Sequence, residues 1–123
     1  MTGYVGNIEE LTGKNTYFRQ VLFTAAHMQL VLMALKPNEE IGMEVHPDND
    51  QFFRFEAGEG KVIIAGEEHL VGDGYAVVVP AGSQHNVINT STTQPFKFYT
   101  IYAPAHHPDG TVHKTKAEAM AAE

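Results

Sequence analysis

Residues 42–58 read Gly-Met-Glu-Val-His-Pro-Asp-Asn-Asp-Gln-Phe-Phe-Arg-Phe-Glu-Ala-Gly. Glu44 and His46 are two apart, so an extended chain sends both side chains to one face. Pro47-Asp48-Asn49-Asp50 has turn chemistry, and Gln51 opens the next strand, where an antiparallel hairpin would bring it back beside His46. If Gln51 points inward, Phe53 and Phe55 do too, while Arg54 and Glu56 point out. The expected site is therefore a group of metal-ligating side chains resting on an apolar aromatic floor.

Outward from this stretch, the apolar residues keep coming in short runs rich in Val, Ile, Leu, Phe and Tyr, separated by Gly, Pro, Asn and Asp, as strands and tight turns require. The runs place strands at about residues 17–23, 27–36, 42–46, 51–56, 61–65, 68–71, 76–79, 85–89 and 96–103. Turns fall at Pro37-Asn38, Gly58-Glu59-Gly60, Gly66-Glu67, Gly72-Asp73-Gly74 and Pro80-Ala81-Gly82. Many short, evenly spaced strands make an all-β sandwich or barrel. Helical patterning is expected only at the end, where Thr115 to Glu118 fits a capping box.

The chain has 123 residues, enough to bury a core as one domain. It has no cysteine, so a metal would have to be held by nitrogen and oxygen, and disulfides and thiol nucleophiles are excluded. Eight Lys and Arg against fifteen Asp and Glu give a net charge of −7, with no basic stripe for nucleic acid. The start lacks a signal peptide pattern and no apolar run reaches the ~20 residues of a membrane helix. The expectation is a cytoplasmic protein with neither nucleic-acid nor membrane partners. Seven histidines stand out, because imidazole both titrates near neutrality and binds transition metals.

The second half carries Gly74, five residues on Pro80-Ala81-Gly82, then His85 and Asn89. At every defined position this resembles the second motif of the cupin superfamily. The first cupin motif maps onto Asn38, Glu44, His46, Gln51 and Gly58, with three departures. Asn38 replaces a glycine, and asparagine is the residue best able to take positive φ in its place. Glu44 stands where the first histidine ligand would be, and Gln51 where the glutamate would be, so a carboxylate is kept but moved. The resemblance covers about residues 37–103 and is closest to small stand-alone cupins of the RmlC-like, mannose-6-phosphate-isomerase-like kind. It implies a cupin jelly-roll β-barrel, with added strands over 17–36, a tail over 104–123 ending in a short helix, and one divalent transition metal ion (Fe, Mn, Ni, Co or Zn) on Glu44, His46, Gln51 and His85.

Rival readings bear on several of these residues. Gln51 serves equally as an oxygen ligand or as a hydrogen-bond partner behind the ligands, and Asp50 competes for its place although it belongs to the turn. Tyr102 and His27 are expected to line the pocket with Phe53 and Phe55. His69 reads as solvated, and His106 has no ligand spacing. The polar tail could fold over a barrel mouth, which makes His107 or His113 candidates to face the pocket. Arg19 is the only cation placed to anchor an anion inside the barrel. The expected activity is metal-dependent chemistry on a small organic molecule, either O₂ activation at Fe(II) or Lewis-acid isomerase or lyase chemistry. The alternative is a non-catalytic small-molecule binding or sensing cupin. Open sheet edges point to a homodimer.

Overall fold

The computed structural model describes residues 2–122. In chain order its elements are α1 (Ile8–Lys14), β1 (Arg19–Thr24), β2 (Gln29–Leu35), β3 (Asp50–Ala57), β4 (Glu59–Ile64), β5 (Glu67–Gly72), β6 (Ala76–Val79), β7 (His85–Asn89), β8 (Phe96–Ala103), β9 (Val112–His113) and α2 (Lys116–Ala121). The strands form a six-stranded sheet in the order β6-β3-β8-β2-β1-β9 and a three-stranded sheet in the order β5-β4-β7. All the pairings are antiparallel, and the result is the expected jelly roll.

Period-2 alternation decides what faces the interior. On β3, Gln51, Phe53 and Phe55 are buried while Arg54 and Glu56 are less so. Register then stacks inward residues in rungs. Val21, Val31, Thr100, Phe53 and Val77 form one, and Gln29, Tyr102, Gln51 and Val79 form another nearer the mouth. Below them Phe53, Phe55, Phe96 and Phe98 are fully buried, with the Phe55 and Phe96 rings stacked at 4.6 Å. Gly60 allows this closeness. A Cβ there would lie 2.4 Å from the Ile88 carbonyl oxygen and 2.5 Å from the Phe96 ring. Asn38 has φ 64°, taking the positive value expected of it.

Three local expectations need correction. Residues 42–46 do not form a continuous strand. The segment meets the three-stranded sheet beside β7 through isolated bridges, Glu40 to Ile88 and Glu44 to His85. Gly42 sits between them at φ 108°, and its N–H donates to the Asn86 side chain at 2.9 Å instead of to a ladder carbonyl. It follows that the turn after His46 crosses from one sheet to the other, so Gln51 does not return beside His46 in a hairpin. Its neighbours on β6 and β8 are Val79 and Tyr102. Helix α1 was also not expected. Asn7 caps it by accepting from the Glu10 N–H at 3.1 Å, but seven residues including Gly13 carry too little periodicity to be read.

The tail behaves as its polarity suggested. The Asn49 side chain donates to the Pro104 carbonyl at 2.6 Å, and β9 pairs with β1 at the sheet edge. The Thr115–Glu118 capping box is present.

Candidate metal centre

Two of the candidate donors are brought together by the backbone itself. Glu44 N–H donates to the His85 carbonyl at 2.8 Å and His85 N–H donates to the Glu44 carbonyl at 2.9 Å, the reciprocal pair that sets two side chains on one face of an antiparallel ladder. His46, two residues on, shares that face. Its Nε2 lies 3.6 Å from Glu44 Oε1, and its ring centroid is 5.2 Å from that of His85. One donor atom from each of Glu44, His46 and His85 falls within 4.8 Å of the other two, so these side chains can hold a metal ion.

Hydrogen bonding orients the donors. His85 Nδ1 is 3.0 Å from the Ser83 carbonyl oxygen, which only accepts, so the proton is on Nδ1 and the lone pair of Nε2 faces the site. His46 Nε2, His85 Nε2 and Gln51 Oε1 are all buried without a hydrogen-bond partner. Buried polar atoms are normally satisfied, and of the five unsatisfied side-chain atoms among the described residues these three are candidate ligand atoms, the other two being Arg19 Nε and Arg54 Nε. Gln51 is fixed from its other end, where Nε2 donates to Thr100 Oγ1 at 2.9 Å and Thr100 in turn donates to the Phe52 carbonyl. Two imidazoles and a carboxylate within reach of one another are a donor set that suits a divalent cation.

Electrostatics agree. Burial opposes the charge of Glu44, but the hydrogen-bond contact with His46 and the nearby Arg19 guanidinium help to outweigh it, and the carboxyl is held below its ordinary range. Burial lowers His85 despite the Ser83 hydrogen bond, which keeps the imidazole neutral and able to ligate. Tyr102, in the mouth rung, is pushed well above the ordinary phenol value by burial, so it retains its proton.

The other sequence candidates separate clearly. Phe53 and Phe55 lie beneath, with Phe53 6.3 Å from the His85 ring, and Tyr102 lies edge-on to His46 at 5.7 Å. His27 is exposed in the bend between β1 and β2 and does not line the interior as expected, because β2 starts two residues later. Asp50 spends its carboxylate on the Ala81 N–H at 2.9 Å. His69 is exposed beside Glu67.

The tail supplies what the spacing did not reveal. His106 packs its ring 4.2 Å from His46 and 5.3 Å from Tyr102. His107 Nε2 lies 3.3 Å from the Tyr102 hydroxyl, and burial lowers its pKa to about 3. His113 Nδ1 lies 3.3 Å from Arg19 Nη1. The clamp is Gln29, whose amide donates to Thr24 Oγ1 and the His107 carbonyl and accepts from the His106 and His107 N–H groups. A glutamine on the inward phase of an apolar strand was the one sequence signal for this roof.

A cupin domain family model matches residues 31–102. The chain is 52% identical over 126 residues to the uncharacterized protein YrkC of Bacillus subtilis, an alignment covering 98% of this chain and 67% of that protein. The crystal structure of BH2720 from Bacillus halodurans superposes with a TM-score of 0.93 at 48% identity, covering 96% of this chain and 93% of that one. KdgF from a Halomonas species has a similar fold, with a TM-score of 0.66 at 17% identity over 72% of this chain and 78% of the other.

Proposed function

The chain belongs to the cupin domain family, and from that premise we propose that it is a metalloenzyme acting on a small organic molecule in the mouth of its barrel. Glu44, His46 and His85 hold one divalent transition metal ion, with Gln51 Oε1 as the fourth donor. The observation that carries this is the convergence of unpartnered buried atoms on the candidate ligands. Two imidazoles, one carboxylate and one amide oxygen suit Fe(II), Mn(II) and neighbouring ions.

A bound ion would supply Lewis acidity toward a substrate oxygen. The chain's own groups then favour proton transfer over other chemistry. His106 is kept neutral at pH 7, chiefly by burial, and stands against His46, so it can take or return a proton above the site. Tyr102 keeps its hydroxyl proton and can donate to a developing oxyanion. Phe53 beneath excludes water. An isomerase or lyase working through a carbonyl is the reaction class this supports best. The protein would act as a homodimer, a reading supported by the exposed Leu70, Tyr75 and Val78 on or beside the edge strands β5 and β6; sedimentation of the purified chain checks it.

The deciding test is metal content by mass spectrometry on untagged protein, with Glu44→Ala, His46→Ala and His85→Ala variants checked for folding by circular dichroism. The expected result is near-stoichiometric metal in the wild type and at least a tenfold weaker hold in each variant. Wild-type protein that stays metal-free after anaerobic loading with Fe(II) and Mn(II) would overturn the proposal.

A further inference from the structure

Arg19 is a buried cation with no ion-pair partner among the described residues. It alternates with Val21 on the inward face of β1 and lies in register with the fully buried Met33, and only 6% of its surface is exposed. Among the described residues no carboxylate lies within ion-pair distance of it. Nη1 meets His113 Nδ1, the guanidinium carbon sits 5.2 Å from the Phe18 ring centroid, and Nε has no partner. Charged groups are rarely buried unless they are paired.

Four of the other cations face outward or are already partnered. Arg54 pairs with Glu56, Lys61 with Glu68 and Lys14 with Glu10, and Lys97 donates to the Gly13 carbonyl. Arg19 lies on the inner face of the same sheet that carries Gln51 and Tyr102, and its Nη1 reaches His113 of the tail. The missing partner is an anion.

We infer that Arg19 is an anion anchor and that the ligand of this site is a small organic carboxylate, its carboxylate on the guanidinium and the rest of the molecule directed toward Glu44, His46 and His85. The planar two-oxygen group matches the guanidinium fork. A phosphate dianion fits less well, since a single cation faces it and both helices are too short to add an N-terminal anion site. The orientation toward the ligand triad rests on the metal reading above, while the anchoring by Arg19 does not.

Calorimetric titration of the protein, metal-free and loaded with Mn(II), with acetate, pyruvate and benzoate against their neutral amides tests this, using wild type, Arg19→Met and Arg19→Lys. The wild type is expected to bind carboxylates and not amides. Arg19→Met should bind them at least ~10-fold more weakly, while its unliganded Tm equals or exceeds that of wild type, because an unpaired buried charge has gone. Carboxylate affinity that survives in Arg19→Met overturns the inference, as does inorganic phosphate binding more tightly than every carboxylate. If Arg19→Met does not fold, Arg19→Lys decides, since undiminished affinity in it removes the role of the fork. Carboxylate binding to metal-free protein that depends on Arg19 upholds the anchor even where metal loading fails.

Discussion

Gln51 shows how a single side chain sets the character of this centre. On the proposed reading its amide would offer an oxygen without a charge, leaving Glu44 as the only anionic donor of the candidate set. Gln51→Glu should tighten metal binding roughly tenfold, in the range typical of changes at or behind a ligand, measured by competition with a chelator. The same change should lower the Tm of the metal-free protein, because a carboxylate would then be buried beside Thr100 and Tyr102 without a cation. If affinity is unchanged, Gln51 acts only through its hydrogen bond to Thr100. The residues of this centre were largely readable in advance. Glu44 and His46 announced themselves by phase, His85 by its place after Gly82, and Asn38 by its tolerance of positive φ. His106 was not readable, since its position depends on where the tail after β8 lands, and nothing local in His106-His107-Pro108 records that. The misplacement of His27 came from extending β2 two residues too far, into a bend.

At the scale of elements, the tail and the glycine-backed floor carry the most strain-sensitive contacts. Gln29→Leu removes four hydrogen bonds at once and leaves the His106 and His107 N–H groups without their acceptor. A loss of about 2–4 kcal/mol is expected, and faster hydrogen exchange confined to residues 104–113 would locate it. Uniform exchange across the chain would show that Gln29 does not act as a clamp. Gly60→Ala drives a methyl into the Ile88 carbonyl and the Phe96 ring, a clash expected to destabilise by about 1–3 kcal/mol or more, read from denaturant midpoints. Short apolar strands bounded by clear turn residues were readable almost to the residue, β6, β7 and β8 among them. The segment at 42–46 was misjudged because alternation alone does not reveal that Gly42 turns its N–H toward a side chain. Helix α1 escaped because its capping asparagine leads only two turns.

For the whole molecule, pH is the sharpest lever. His107 is held neutral, its folded pKa of about 3 lying below the ordinary 6.5, and His85 and His106 are depressed in the same direction. Unfolded chains bind more protons at these sites once pH falls below about 6.5. The stability they contribute is therefore complete above that value and is lost as pH falls from there toward 3. Tm should plateau above pH 7 and drop steadily below 6, and His107→Phe should flatten the slope. An acid limb unchanged in that variant would place the burden on other groups. No helix among the described residues is long and apolar enough to cross a membrane.

The reciprocal backbone pair between Glu44 and His85 has one more consequence. Two of the three donors are positioned by a ladder that exists whether or not an ion is present, so loading does not have to fold anything. On the proposed metal reading an ion would enter a site whose backbone is already in place, and loading should leave the fold unchanged. Metal-free protein and protein loaded with a divalent ion should then give the same backbone amide exchange at Glu44 and His85, the two ends of that pair.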